Sequence, residues 1–153
     1  MYADTRIGDE SAIGHNTVVR SATRIGAQTQ IAHMVSVERA CRIGDYVRCS
    51  PLTHLTSSIV AEDRVFFGAG VMTINDKGML WRETSGQEAL LQPPHFAFGC
   101  RIGTGSVIAA GIHVGRESLI GSNSLVTRDI PAGVVAFGSP AKVVRARHMA
   151  HES

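Results

Sequence analysis

Aromatic side chains are scarce in this sequence, and long apolar runs are absent. Phe, Trp and Tyr make up 5% of the 153 residues, so a core built mainly on packed rings is excluded. No apolar run approaches the roughly 18 residues of a membrane-spanning helix, and nothing resembles a signal peptide. We therefore expect a single domain over residues 1–153, located in the cytoplasm and without membrane contact.

Cysteine is also rare, with three residues in the chain. Cys41 and Cys100 lie two residues before a site of the repeat described below, and Cys49 lies on one. We interpret all three as small core residues with reduced thiols, which favours a cytoplasmic setting over a disulfide framework. A catalytic thiol is not expected.

A large excess of one charge is missing as well, since the formal net charge is +2 at pH 7. Basic residues are concentrated in the C-terminal tail, about residues 128–153, without the aromatic interleaving that is typical of nucleic-acid sites. Nucleic-acid binding is therefore not expected.

A period of six in Ile and Val dominates the sequence. A helix would put residues six apart on different faces, and a simple strand alternates with a period of two. A period of six is typical of hexapeptide repeats, which form the flat sides of a parallel β-helix. We call the repeated positions lattice sites. The pattern assigns sixteen of them: Ile7, Ile13, Val19, Ile25, Ile31, Val37, Ile43, Cys49, Ile59, Val65, Val71, Ile102, Ile108, Val114, Ile120 and Val126.

Two interruptions break this lattice. In the first, residues 50–58, ten residues replace six between lattice sites, and His54 lies within it. The second is a long excursion over about residues 73–95 that contains Trp81, the single tryptophan. Loops on rigid scaffolds often carry function, and this excursion is too apolar for simple disorder. We expect it to fold over a neighbouring surface, such as another subunit.

The repeats resemble those of the hexapeptide-repeat acyltransferases. The segment GAGVMTINDK, the long loop after it and the closing GSPAKVV are similar to the nucleotide-sugar N-acetyltransferases of that class. The resemblance implies an all-β, left-handed parallel β-helix with one long excursion loop, in which three hexapeptides make one coil and sixteen sites make roughly five coils. It also implies a homotrimer that uses acetyl-CoA to acetylate an amino group on a UDP- or dTDP-linked sugar.

The same resemblance implies that coenzyme A lies along the last coils, between two subunits. Small residues there would let the pantetheine arm approach the backbone, and basic residues would meet the phosphates. The predicted cofactor-binding residues are Ala109, Ala110, Gly111, Thr127, Arg128, Lys142 and Arg145.

His54 and Asn75 are the predicted catalytic residues. Histidine is the usual base near neutral pH, and of the seven in the chain only His54 and His95 lie in the interruptions. His54 is the preferred candidate. Asn75 has no acid–base capacity, but it matches the family loop, in which this Asn helps to position the acceptor or the thioester. The predicted substrate-binding residues are Asp76, Lys77 and Trp81.

Three other functions remain open at this point. An O-acetyltransferase acting on a hydroxyl of a sugar or another acceptor would use the same scaffold. A zinc hydratase of the γ-carbonic-anhydrase type uses three His on this fold, but His54 lacks the companion His of that motif, so no metal is expected. A scaffold without enzymatic activity is the third.

Overall fold

Eighteen two-residue strands wind into a triangular parallel β-helix in the computed structural model, which describes residues 2, 4–79 and 91–148. Two longer strands follow at the C-terminal end. In chain order the strands are β1 Arg6–Ile7, β2 Ala12–Ile13, β3 Val18–Val19, β4 Arg24–Ile25, β5 Gln30–Ile31, β6 Ser36–Val37, β7 Arg42–Ile43, β8 Arg48–Cys49, β9 His54–Leu55, β10 Val60–Ala61, β11 Phe66–Phe67, β12 Met72–Thr73, β13 His95–Phe96, β14 Arg101–Ile102, β15 Val107–Ile108, β16 His113–Val114, β17 Leu119–Ile120, β18 Leu125–Val126, β19 Val134–Gly138 and β20 Ala141–Ala146.

Successive strands pass to successive sides of the triangle, so every third strand pairs in parallel. Face 1 is β1-β4-β7-β10-β13-β16, face 2 is β2-β5-β8-β11-β14-β17-β19-β20, and face 3 is β3-β6-β9-β12-β15-β18. The all-β parallel β-helix is therefore confirmed, and it is consistent with the left-handed coil that the resemblance implies. Six strands on face 1 and on face 3 give six complete coils, one more than predicted.

The second residue of each strand points inward, which explains the period of six. From β3 to β18 this residue is buried in every strand while the first is exposed or half-buried. Glycines after the lattice sites lie on the flat sides rather than at the corners: a Cβ on Gly14 would come within 2.5 Å of the backbone of the next coil. The corners instead use residues in the left-handed region, such as Asn16 and Ala22 with φ of 56° and 59°.

The first predicted interruption, residues 50–58, does not exist. The lattice continues without a break through inward-pointing residues of β9 to β12, namely Leu55, Ala61, Phe67 and Thr73. The predicted sites Ile59, Val65 and Val71 are buried but lie two residues earlier, in a second inward-pointing column. His54 is consequently a strand residue.

The second interruption is confirmed, but it is shorter than the predicted range of about residues 73–95. We call the junction of Asn75 and Gln92, where it leaves and rejoins the coils, the neck of the excursion. The backbone N–H of Gln92 donates to the carbonyl of Asn75 at 2.7 Å, and the N–H of Gly111 in the next coil donates to the carbonyl of Gln92 at 2.7 Å. The excursion thus leaves after Asn75 and returns at Gln92, and His95 lies in β13 rather than in a loop. Trp81, one of the predicted substrate-binding residues, lies outside the described residues.

The C-terminal tail forms a hairpin at the end of the coil. β19 runs parallel to β17, and β20 folds back antiparallel on β19. The guanidinium of Arg147 donates to the carbonyl of Glu117 at 2.8 Å and lies 3.6 Å from the Glu117 carboxylate. In the part of the chain that the structure describes, no helix is long and apolar enough to cross a membrane.

The three cysteines are free and buried in the core. Burial raises the pKa of Cys41 and of Cys49 to about 12 and raises the pKa of Cys100 further. The thiols are therefore protonated at physiological pH and act as small apolar core residues.

Candidate active site

The corner that leads from face 3 to face 1 collects half of the predicted site residues. Because β12, β15 and β18 pair in register, the residues two positions after their inward-pointing residues are stacked in one column. These are Asn75, Ala110 and Arg128. Ala109 and Thr127 form the neighbouring column, and the N–H of Ala109 donates to the carbonyl of Val126 in the edge strand β18 at 2.9 Å. We call this set, together with Gly111, the 3–1 corner.

The 3–1 corner carries small side chains in its upper coils. Gly111 lies in the left-handed region with φ of 75°, and the nearest atoms to a Cβ placed there belong to the Gln92 side chain, at 3.2 Å. Ala109 and Ala110 carry only methyl groups, and the exposed Arg128 lies one coil above Ala110. A flexible ligand arm can therefore lie close to the backbone below a single positive charge.

Asn75 and Asp76 organise the start of the excursion. The Asn75 side-chain amide donates to the carbonyl of Ser57 in the coil below at 3.3 Å. The Asp76 carboxylate accepts the N–H groups of Gly78 and Met79 at 3.1 and 3.0 Å, which is a local turn around the side chain. Asn75 is half-buried at the corner, whereas Lys77 is exposed.

His54 belongs to a charged cluster on face 3. It lies in register with Ser36, and its Nε2 is 3.8 Å from the carboxylate of Glu38. Glu38 in turn accepts a hydrogen bond from the Ser36 hydroxyl at 3.0 Å and pairs with Arg20 at 3.1 Å. Across the described ranges 2, 4–79 and 91–148, no hydrogen bond or ion pair joins His54 to Asn75.

A tighter histidine–carboxylate pair lies on face 1. Nε2 of His95 is 2.9 Å from Oε1 of Glu62, and Oε2 of Glu62 accepts the backbone N–H of Phe98 at 2.8 Å. The two side chains are 41% and 43% exposed, so the pair is reachable from solvent. The His113 ring packs edge-on against His95 with centroids 4.8 Å apart.

Electrostatics fixes the roles within this pair. Partial burial raises the pKa of Glu62, but the hydrogen bonds from Phe98 and His95 outweigh it, and the pKa is lowered overall. Glu62 is therefore ionised near neutral pH and accepts hydrogen bonds only. Nε2 of His95 is therefore the donor of this hydrogen bond, and in the neutral ring Nδ1 has the lone pair that a general base needs.

The pair on face 1 adjoins the 3–1 corner. His113 follows Ala110 by three residues, and its backbone N–H donates to the Asp129 carboxylate at 2.8 Å, next to Arg128. His95 lies one coil below, in register with His113. His95, the small residues of the 3–1 corner and the cationic Arg128 thus lie near the point where the excursion leaves and rejoins the coils.

Sequence reasoning missed Glu62 and rated His95 below His54. Glu62 follows Ala61, and its position on the outer surface is evident only when Ala61 is recognised as a lattice site. Glu62 and His95 are also 33 residues apart in the sequence, with the whole excursion between them. The repeat of six residues therefore does not indicate that they are neighbours.

Lys142 and Arg145 are not brought to the 3–1 corner within one chain. Both are exposed on β20, which extends face 2, the side of the triangle opposite that corner. Lys142 pairs with Phe137 and Arg145 with Val135 in the hairpin. Within the described residues there is also no group of three or more His, Cys, Asp or Glu that could hold a metal ion.

Comparison with known families supports the interpretation of the period of six as hexapeptide repeats. Residues 99–128 match the family model described as the hexapeptide repeat of succinyl-transferase. A galactoside O-acetyltransferase from Lactococcus lactis is 50% identical over 44 residues, which are 29% of this chain and 21% of that protein. A 2,3,4,5-tetrahydropyridine-2,6-dicarboxylate N-acetyltransferase from Staphylococcus aureus is 43% identical over 44 residues, 29% of this chain and 18% of that protein. The matches thus span about a fifth of the length of these curated relatives.

Solved structures of similar shape cover nearly the whole chain. A mutant of AntD, an N-acyltransferase from Bacillus cereus in complex with dTDP-4-amino-4,6-dideoxyglucose and coenzyme A, has a TM-score of 0.82 at 17% identity, covering 94% of this chain and 84% of that one. A hexapeptide-repeat acetyltransferase from Vibrio cholerae complexed with acetyl-coenzyme A has a TM-score of 0.64 at 21% identity, covering 94% and 72%. The resemblance to hexapeptide-repeat acyltransferases is confirmed, and at these identities the structural likeness establishes the shared fold.

Proposed function

We propose that this protein is an acetyl-CoA-dependent acyltransferase that N-acetylates an amino group of a UDP- or dTDP-linked sugar. The observation that carries the proposal is the juxtaposition of the 3–1 corner with the Glu62–His95 pair. The corner offers a groove for a pantetheine arm, and the pair offers a base at the end of that groove. The ligands of the similar structures, coenzyme A and a dTDP-amino sugar, are in keeping with both.

Coenzyme A would lie along Ala109, Ala110 and Gly111, whose small side chains let a ligand approach the backbone. Thr127 and Arg128, one coil above, would contact its phosphates or its adenosine. Lys142 and Arg145 can join this site only from a second copy, since they occupy the opposite side of the same chain.

The chemistry then requires few groups. The acceptor amine attacks the thioester carbonyl, a C–N bond forms, the C–S bond breaks, and the amine proton passes to Nδ1 of His95 and on to the departing thiolate. Glu62 holds the His95 ring and stabilises its protonated form. Asn75, at the neck of the excursion, orients the acceptor or the thioester carbonyl, and Asp76, Lys77 and Trp81 contact the acceptor. His95 replaces His54 as the preferred base because its partner is 2.9 Å away rather than 3.8 Å and because it adjoins the corner.

The test is thiol release from acetyl-CoA in the presence of UDP- and dTDP-linked amino sugars. We expect turnover with at least one 4-amino or 3-amino sugar nucleotide, and a product heavier by one acetyl group in mass spectrometry. The proposal fails if no amine or hydroxyl acceptor in the panel promotes thiol release.

A second candidate is O-acetylation of a sugar hydroxyl. A hydroxyl is a poorer nucleophile than an amine, so it gains more from a positioned base such as His95. The 50% identity to a galactoside O-acetyltransferase over 44 residues also favours this reaction. Matched pairs of nucleotide sugars that carry either an amino or a hydroxyl group at one ring position decide between the two.

We further propose a homotrimer in the cytoplasm. Face 3 presents an outward-pointing row that includes Val18 and Met72, which are 43% and 42% exposed in the single chain, and contact between copies would cover it. The free buried thiols fit a reducing compartment. A monomer in sedimentation at micromolar concentration would contradict the trimer.

A further inference from the structure

Three arginines stand in register on the lower half of face 1. Arg6 pairs with Arg24 across β1 and β4, and Arg24 pairs with Arg42 across β4 and β7. All three side chains are exposed and leave the same surface. Adjacent strands lie about 4.8 Å apart, so these guanidinium groups form a row with that spacing. We call Arg6, Arg24 and Arg42 the arginine row.

The arginine row forms no ion pair within the described part of the chain. None of its three side chains forms an ion pair or a side-chain hydrogen bond there. The exposed Asp4 and Asp9 flank Arg6 in sequence. Asp45, three residues after Arg42, accepts the backbone N–H of Ala27 in the coil below at 2.7 Å. Like charges directly opposite each other on neighbouring strands are unfavourable, so a bound anion would stabilise the row, in particular Arg24 and Arg42, with which no described carboxylate pairs.

The surface around the row is shaped as a shallow depression. A pocket of ≈ 470 Å³ is bordered by Arg24 and Arg42, by the small residues Ala22 and Ala40 at one edge, and by Gly44, and it extends to Val60 and Ala61. This volume falls within the roughly 300–1,000 Å³ range of small-molecule sites. The absence of bulky neighbours leaves both guanidinium groups accessible for paired hydrogen bonds to phosphate oxygens.

The depression leads to the Glu62–His95 pair. Val60 pairs with Arg42 on one side and with His95 on the other. The arginine row and the proposed base therefore belong to one column on face 1, with Arg42 about two strand spacings, or roughly 10 Å, from His95. A sugar with a diphosphate attached spans a distance of that order.

We propose that the arginine row binds the diphosphate of the nucleotide-linked acceptor and so directs its sugar toward His95. This inference rests on the function proposed above, because it takes the acceptor to be a nucleotide sugar. Coenzyme A also carries a diphosphate, but the groove proposed for it lies in the upper coils, at Ala109 to Gly111. The row therefore selects the acceptor and does not contribute to donor binding.

The test compares Arg24→Gln/Arg42→Gln with a matched control, Arg48→Gln/Arg101→Gln, which removes two exposed arginines at equivalent strand positions on face 2. Calorimetric titration uses dTDP, UDP and inorganic pyrophosphate as probes, and circular dichroism verifies folding. We expect the face 1 variant to lose about tenfold in affinity for dTDP or UDP, and the control to lose less than about twofold. In the acetylation assay, the acceptor KM should rise by a similar factor with the acetyl-CoA KM unchanged.

Two outcomes overturn the proposal, namely equal nucleotide affinity in the two variants or a selective rise in the acetyl-CoA KM of the face 1 variant. These results leave the acyltransferase function intact if turnover persists. Conversely, nucleotide binding that is lost only in the face 1 variant, without acetyl transfer in any assay, would support the arginine row and refute the proposed reaction.

Discussion

The Glu62→Gln substitution tests the proposed active site most directly. Glu62 accepts two N–H groups on two separate oxygens, from His95 at 2.9 Å and from Phe98 at 2.8 Å. A glutamine of the same size has one acceptor oxygen, so one N–H group must face the NH₂ group instead. His95 thereby loses both its charged partner and its fixed orientation, while the fold keeps its shape.

The size of the effect follows from this geometry. A hydrogen bond to a charged group contributes about 1.5–3 kcal/mol, and solvent access to this half-exposed pair reduces that to roughly 1.4–2 kcal/mol. Such a loss corresponds to a decrease of about tenfold to thirtyfold in kcat. In the proposed mechanism Glu62 acts through His95 and coenzyme A lies at Ala109 to Gly111, so the acetyl-CoA KM should remain unchanged. Steady-state kinetics by thiol release gives both quantities.

The matched control is Glu38→Gln, which alters the carboxylate 3.8 Å from His54 on face 3. We expect kcat to change less than about threefold in this variant, because His54 is not the base in the proposed mechanism. The reverse pattern, with Glu38→Gln tenfold slower and Glu62→Gln unaffected, would refute the argument for His95. It would restore His54 as the base.

Other predictions concern the corner, the pH dependence, the core and the thiols. Asn75→Ala should lower kcat/KM by about a hundredfold, because positioning errors near the reacting atoms are costly, and unchanged kinetics would exclude a role for this residue. Since the pKa of Glu62 is lowered in the folded protein, the stability that its carboxylate contributes is present near neutral pH and is lost as the pH falls through that pKa; urea unfolding of Glu62→Gln at decreasing pH should lack this loss. Phe96→Ala, at a fully buried ring 4.8 Å from its aromatic partner, should lower the free energy of unfolding in urea by about 3–5 kcal/mol. With pKa values of about 12, Cys41 and Cys49 should not react with a disulfide reagent at pH 8 until the protein is unfolded, and rapid labelling of the native protein would contradict their burial.

The period of six was sufficient to predict the class of fold, but not the register of its middle third. Two columns of side chains point inward, and a small residue in one is accompanied by a large residue in the other. Ile59, for example, is fully buried beside the small Ala61 at the lattice site. A search for Ile and Val therefore selects the second column wherever the Ile or Val lies two residues before the lattice site. The β-helix itself keeps one register because its backbone hydrogen bonds continue coil by coil through this region.

The candidate site was predictable to the extent that it follows the repeat. Asn75 was identified from the family loop and Ala110 and Arg128 from the last coils, and stacking then aligns all three. Residues that depend on a departure from the repeat were not predictable. Glu62 meets His95 only because the excursion closes on itself, and the reversal of chain direction into β20 moves Lys142 to the opposite side.

The backbone hydrogen bond that closes the neck between Asn75 and Gln92 has an evolutionary consequence. Since Gln92 also bonds to Gly111 above, the coil stack is continuous at this corner without the residues between 76 and 91. For a closed flexible loop, doubling the length costs only about 0.6 kcal/mol. Segments of very different length and sequence can therefore be exchanged at this position while the coils remain intact. In the proposed arrangement, a lineage with this scaffold would acquire new acceptors by replacing a single insert and would keep the coils that bind the donor.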